Sequence, residues 1–418
     1  MIDSLDQGGA ERSLVEMVGG FTAAGIDVTI AVLRGGGVFT EAAVGAGASI
    51  VELGGFTGTG KRPRPTRMSG EVVSLQGRRG KGMPAHVRAV GEVIERRSAE
   101  LVHTTLFEAS IAGRTAAALR GVPSVTSVVN TPYGPDQLTG LRRSIGVRAA
   151  QALDIATARL VDRFHANASH VADTMSARLL VPRERFEVIP RGRDAARLGR
   201  RTPERRARVR ATLGIDASTP VVLCAARHES LKGLDTAIEV VSRLLVDRPK
   251  LRLLIAGREG NQTQSLRRLI SSAGAGDTVE LLGHRDDVAD LLAASDAFLL
   301  PSRREGLPGV LIEAMALEVP IVATDLPGVR EVLGIGPGLL ARPDDADRLG
   351  ALLRKALGGE DASRSGQWDP AGATTDLRQR FEQHHTIEAV TSQMTDLYRR
   401  VHERHASRPH HRPGRPGR

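Results

Sequence analysis

The stretch "DAFLLPSRREGLPGVLIEAMALEVPIVAT" (296–324) decides the fold. It opens on a short apolar run, "DAFLLP" (296–301), and closes on a second, "VPIVAT" (319–324), with a helical segment from Gly309 to Leu317 between them. Buried strands joined by crossover helices are the pattern of a parallel sheet covered on both faces. Two glutamates stand eight positions apart in the middle: Glu305 in the loop and Glu313 one turn into the helix. Between them runs the candidate binding stretch Gly306, Leu307, Pro308, Gly309 and Val310, whose backbone N–H groups, Pro308 having none, aim at whatever lies above the helix end. Two acceptors flanking a patch of donors match a nucleotide sugar, with Glu305 at the sugar and Glu313 at the ribose. A dipole-favoured first-turn acid and a solvated loop charge would look the same in isolation.

Working outward, the same alternation fills the chain. The first half carries "DVTIAVL" (27–33), "SIVEL" (49–53), "ELVHT" (100–104), "VPSVTSVVN" (122–130) and "VDRFHANA" (161–168), with helices at 10–24 and 108–120 between them. The second half carries "PVVLCAA" (220–226), "LRLLIAG" (251–257) and "TVELLG" (278–283) ahead of the opening stretch. An α/β chain of two doubly wound, Rossmann-like domains facing each other across a cleft follows. The polar, Arg-dense stretch 191–210 carries no strand and reads as the linker between them. The expected boundaries are 1–195 and 196–385, with a helix near 386–402 packing back on the first domain and a disordered basic tail over 403–418. Residues 54–83, rich in Gly, Pro and Arg, exceed a normal βα connection. They are either a mobile acceptor-side or membrane-side loop or a disordered insertion.

Composition narrows the classes. A length of 418 residues suits two domains, and 25% charged residues with 41% hydrophobic ones suit a globular protein. No run approaches the ~18 apolar residues of a membrane span, and no secretory layout opens the chain, so a cytoplasmic location is expected. Cys224, the single cysteine, allows no internal disulfide and reads as a buried strand thiol. The net charge of +10 owes about six units to the last 20 residues, with seven Arg against one Glu. Aromatic residues are 3%, too few for base-stacking platforms, so no nucleic-acid partner is expected and an anionic membrane surface suits the basic charge better.

Ligands of open α/β sheets bind beyond the carboxyl ends of the strands. Besides the opening stretch, two loops there stand out. Gly8 and Gly9, at the start of helix 10–24, allow close approach of a phosphate. After "PVVLCAA", Arg227 and Lys232 read either as a diphosphate clamp or as solvated charges, and His228 as a surface residue. The one Asp-x-Asp, Asp345 to Asp347, reads as a helix start, so no metal site and no cofactor are expected.

Together "RREGLPGVLIEAMALEVPIVATDLPGVREVL" (303–333), "GGAER" (8–12), "AARHESLKG" (225–233) and "FEVIPRGRD" (186–194) resemble the Glu-x7-Glu signature and accompanying motifs of retaining family 4 glycosyltransferases, which have the GT-B fold. The resemblance covers residues 2–400. It implies a metal-independent hexosyltransferase that moves a hexose or N-acetylhexosamine from a nucleotide-diphosphate sugar, UDP ahead of GDP, to a glycan, lipid-linked or small-molecule acceptor. Such an enzyme would work in the cytoplasm or peripherally on the inner membrane face. By resemblance Arg227 and Lys232 hold the diphosphate, Gly9 lines it from the opposite domain, Glu305 contacts the transferred sugar and Glu313 the ribose. The leaving phosphate would serve as base for same-face attack. A nucleotide-sugar epimerase of similar fold, or an inactive nucleotide-sugar-binding protein, is the alternative.

Three departures from the family stand out. Asn130, in "VVNTPYGP", replaces the usual histidine, which makes His103 a catalytic candidate; Arg191 replaces the asparagine of "PNG"; and the first strand is nearly absent. Either Met1 is a misplaced start, in which case an in-frame upstream extension would raise stability, or the edge of the first sheet is damaged.

Overall fold

The computed structural model describes residues 1–6, 8–53, 72–74, 82–134, 141–334, 339–358 and 370–407. The chain forms two compact units, Met1–Pro190 with the residues from Val390 onward, and Arg191–Ala389.

The first unit begins with α1 (Gly9–Ala23), β1 (Thr29–Val32), α2 (Thr40–Gly45), β2 (Ser49–Glu52), β3 (Val72–Ser74) and α3 (Met83–Arg96). It continues with β4 (Val102–Thr105), α4 (Phe107–Arg120), β5 (Ser124–Val128), α5 (Leu141–Ala158), β6 (Arg163–Ala166), α6 (Ser169–Leu179) and β7 (Phe186–Val188). All pairings are parallel, in the runs β1-β2-β3 and β4-β5-β6-β7. Ile2 bridges the two runs, pairing with Val32 on one side and Thr105 on the other. The first residues therefore occupy the centre of this sheet, where an incomplete edge had been expected. The Met1 amine donates to the His103 carbonyl at 2.5 Å.

In the second unit α7 (Ala195–Leu198) and α8 (Pro203–Thr212) precede β8 (Val221–Ala225), α9 (Leu234–Leu244), β9 (Arg252–Ala256), α10 (Thr263–Ser272) and β10 (Val279–Gly283). Then come α11 (Val288–Ala294), β11 (Ala297–Leu300), α12 (Gly309–Ala316), β12 (Ile321–Thr324), α13 (Pro327–Leu333), β13 (Leu339–Ala341), α14 (Ala346–Ala356) and the helix Pro370–His384. Its sheet is parallel throughout, in the order β10-β9-β8-β11-β12-β13. Val222, Cys224, Leu253, Ile255, Leu299 and Val322 alternate into one buried cluster with Ile238, Val241 and Leu349. Buried strands of four or five residues explain the long apolar runs. Cys224 is buried, and desolvation pushes its thiol well above the ordinary range.

Three expectations gain detail. The Arg-dense stretch 191–210, expected as a strandless linker, begins the second unit, forms α7 and most of α8, and turns several of its guanidinium groups inward while Arg197, Arg200 and Arg208 stay exposed. Arg205 pairs with Asp290 at 2.6 Å, Arg206 with Asp296 at 2.6 Å, and the buried Arg210 with Asp296 at 2.7 Å. Within 54–83, Val72–Ser74 add a parallel strand beside β2 and Met83 opens α3; residues 54–71 and 75–81 lie outside the described residues. The last helix, Ile387–Ala406, carries Glu403 to Ala406, which composition had assigned to the tail, and residues 408–418 lie outside the described residues.

Candidate active site

In the second unit two loops meet at the carboxyl ends of β8 and β11. The loop after β8 tightens into a 3-10 turn, Ser230–Lys232, and enters α9 through Gly233. Gly233 has φ 61°, and a Cβ there would lie 2.1 Å from the Pro301 carbonyl oxygen. Only glycine permits that approach, which sets Lys232 against the loop after β11. Lys232 Nζ donates to Glu305 Oε1 at 2.8 Å, and Ser302 Oγ donates to the same oxygen at 2.7 Å. Both charged groups are part-buried, whereas Arg227, paired with Glu229 at 2.7 Å, is mostly exposed. His228, expected at the surface, is buried: Nδ1 meets Thr263 Oγ1 at 3.0 Å, and desolvation lowers its basicity.

Residues Gly306 to Pro308 lead from Glu305 to Gly309, the first residue of α12; Leu307, Pro308 and Gly309 are buried and Val310 is partly so. Glu313 is 2% exposed, and Arg193 Nε donates to its Oε1 at 2.8 Å. Glu313 is thus a buried, ion-paired acid of α12, and Glu305, the alternative solvated loop charge, is part-buried against Lys232 and Ser302.

Arg193 is the residue that sequence reading missed. Its N–H donates to the His385 carbonyl at 2.8 Å and its carbonyl accepts from Ile387 N–H at 2.9 Å, so the segments entering and leaving this unit pair beside each other. His385 donates from Nδ1 to the Arg191 carbonyl at 3.2 Å. Burial pushes its pKa down to about 4. With the unfolded value near 6.5, the unfolded chain binds the extra proton between those limits, so the stability His385 contributes is full above pH ~6.5 and is lost as pH falls toward 4. Chemical denaturation at stepped pH should show this decline, and His385→Gln should flatten it; an unchanged slope in the variant would assign the decline to other groups.

Gly8, Gly9 and His103 lie in the first unit. Gly8 caps α1 in an extended conformation and Gly9 begins the helix. His103 sits mid-strand in a relay whose proton directions follow from its end. The Ile189 carbonyl can only accept, so His165 Nε2 donates to it at 2.8 Å. His165 Nδ1 then accepts from Ser127 Oγ at 2.6 Å, Ser127 accepts from His103 Nε2 at 2.6 Å, and His103 Nδ1 accepts from the Tyr398 hydroxyl at 2.5 Å. Burial and the neighbouring His165 hold His103 well below its ordinary pKa, hence neutral. Both ring nitrogens are engaged, a framework role in this arrangement.

Beyond β4 and β5 the same unit holds a cavity of about 330 Å³ lined by Asp3, Ser110, Asn130, Tyr133 and Asp154 among others. Its floor is a buried ion pair, Arg114 to Asp154 at 2.5 Å, to which the Tyr133 hydroxyl donates at 2.8 Å. Leu106 and Tyr133, two of its lining residues, have φ of 72° and 67°. Strained non-glycine residues of this kind gather at functional sites. Asp345 caps α14 by accepting from Arg348 N–H, and Asp347 pairs with Arg243, in keeping with a helix start.

Comparison with known proteins agrees with this architecture. Residues 205–372 match the family described as glycosyl transferases group 1, and residues 7–197 match Glycosyltransferase Family 4. The chain belongs to the family 4 glycosyltransferases of GT-B fold, with two Rossmann-like units. It is 35% identical over 181 residues to the GDP-mannose-dependent monoacylated alpha-(1-6)-phosphatidylinositol monomannoside mannosyltransferase of Corynebacterium glutamicum, covering 41% of this chain and 47% of the relative. It is 30% identical over 251 residues to the D-inositol 3-phosphate glycosyltransferase of Pseudarthrobacter chlorophenolicus, covering 58% of each. The matches thus span about half the length of these curated relatives. HepE of Anabaena, solved with UDP and glucose, superposes with a TM-score of 0.75 at 19% identity over 95% of this chain and 98% of that one, a likeness of fold alone. Among the described residues, no helix is long and apolar enough to cross a membrane.

Proposed function

We propose that the protein is a retaining, metal-independent glycosyltransferase. It takes a nucleotide-diphosphate sugar as donor and a hydroxyl of a glycan, lipid-linked or small-molecule acceptor. The observation that carries this reading is the Lys232–Glu305 contact set beside the start of α12. A cation and a carboxylate held 2.8 Å apart can part to serve two ends of one ligand, the ammonium the diphosphate and the carboxylate the hexose hydroxyls. Arg227, exposed on the same loop, adds a second cation for the leaving group, so charge neutralisation needs no divalent ion. Glu313 takes the ribose. Attack from the face the diphosphate leaves, with that phosphate as base, gives retention.

UDP is the base to test first. GDP is the second arm, because the mannosyltransferase relative is named for GDP-mannose. The relative's phosphatidylinositol-based acceptor supports a lipid-linked acceptor, and with it peripheral attachment to an anionic membrane surface. The strained cavity of the first unit is the acceptor pocket in this reading.

A panel of UDP- and GDP-sugars, assayed for slow hydrolysis with free UDP and GDP titrated in parallel, tests the reading. Glu313→Gln keeps the shape but removes the charged acceptor, worth about 1.5–3 kcal/mol, so nucleotide affinity should fall roughly ten- to a hundredfold. The reading is lost if neither nucleotide binds the intact protein, or if Glu313→Gln binds as tightly as the parent.

A further inference from the structure

We infer that Arg193 is a positioning residue of the donor site, holding the Glu313 carboxylate in the orientation in which it receives the ribose hydroxyls. The inference rests on the assignment of Glu313 to the ribose. Four observations carry it. The Arg193 and Glu313 side chains are each about 4% exposed or less, and they meet at 2.8 Å, Nε to Oε1. A buried carboxylate is costly unless a cation is paired with it, and Arg193 supplies that cation to Glu313. Arg193 is fixed from its own backbone, through the bonds to His385 and Ile387, so the guanidinium reaches α12 from an anchored base rather than from a loose loop. Finally, the site has room for the guanidinium because position 309 is glycine. A Cβ there would lie 2.1 Å from Arg193 Nη2 and 3.8 Å from Arg191 Nη1.

This gives Gly309 a reason beyond the exposure of helix-end amides: it leaves space for the group that orients Glu313. The absence of a side chain at 309 and the arginine at 193 form one device, although 116 positions separate them in the chain.

The test uses the full chain and measures discrimination rather than activity. The Kd values of UDP and GDP are each compared with those of their 2′,3′-dideoxy counterparts, and the tighter-binding base is carried forward. The parent should favour the ribose form roughly ten- to a hundredfold, and Glu313→Gln should bring that ratio close to one. Arg193→Met should bring it close to one as well, with the dideoxy nucleotide bound nearly as in the parent. Gly309→Ala, which retains both charges and displaces the guanidinium, should lower the ratio by at least threefold, and Arg193→Lys should recover part of it. If Arg193→Met does not fold, the Gly309→Ala and Arg193→Lys ratios decide. A general loosening of the fold would weaken both nucleotides together and leave the ratio intact. Arg193 variants that keep the parental ratio therefore overturn the inference. If Glu313→Gln itself keeps the ratio, the ribose assignment falls, and the inference falls with it for that separate reason.

Discussion

Glu305→Ala is expected to lower the rate of sugar transfer by about 10²–10³ while leaving the affinity for free nucleotide unchanged or slightly higher. The direction of the second effect follows from the contacts. Glu305 Oε1 accepts from both Lys232 and Ser302, so its carboxylate draws the ammonium toward itself. Removing it frees Lys232 for the diphosphate, and binding of UDP or GDP should not suffer. The hexose, however, loses the group that orients it, and a reacting carbon misplaced by about 1 Å costs on the order of a hundredfold. Glu305→Gln keeps a hydrogen-bonding oxygen beside Ser302 and should fall between the two. Single-turnover transfer with the best donor of the panel, alongside nucleotide titration, gives both numbers. Normal turnover in Glu305→Ala would remove Glu305 from the site.

The fold was legible because its strands are buried on both faces and so read as continuous apolar runs; each of the ten runs quoted above coincides with an observed strand, only β4 reaching one residue beyond its run. The three strands that went unread, β3, β7 and β13, have three residues each, too few for any period to show. In the candidate site, the loops at the carboxyl ends of β8 and β11 were readable from topology alone, because that is where a parallel sheet leaves space for a ligand. Arg193 was not readable. It stands among the arginines of "RGRDAARLGRR" (191–201), and what sets it apart is a carboxylate 120 positions away. The same blindness left the inward-turned arginines of 191–210 unread. Composition sees charge in such a stretch, but whether an arginine is solvated or turned inward depends on which carbonyls and carboxylates the fold brings to it.

Arg210 makes that dependence measurable. It is 2% exposed, and its guanidinium joins four segments: Nε donates to the Ala294 carbonyl at 2.9 Å, Nη2 to Asp296 at 2.7 Å, and Nη1 to the carbonyls of Asp216, Ala217 and Thr219 at 2.8–3.0 Å. The group ties α8 to the turn before β8, the end of α11 and the start of β11. Methionine matches its length but supplies no donor, so four carbonyls, that of the buried Ala294 among them, lose their partner while Asp296 keeps Arg206 and the Val221 N–H. The expected loss is about 3–5 kcal/mol, the range for breaking a buried pair from one side. For a unit of this size that lowers the melting temperature by roughly 10 °C. Arg210→Lys keeps the charge but, with one nitrogen in place of three, should recover less than half of the loss. Arg243 is the counterpart on the surface: about half exposed, it pairs with Glu239 and Asp347, and Arg243→Met should cost no more than about 1 kcal/mol. Thermal and urea unfolding of the three variants against the parent separate the two situations. Equal losses at positions 210 and 243 would mean that the Arg210 cluster contributes no more than a solvated ion pair.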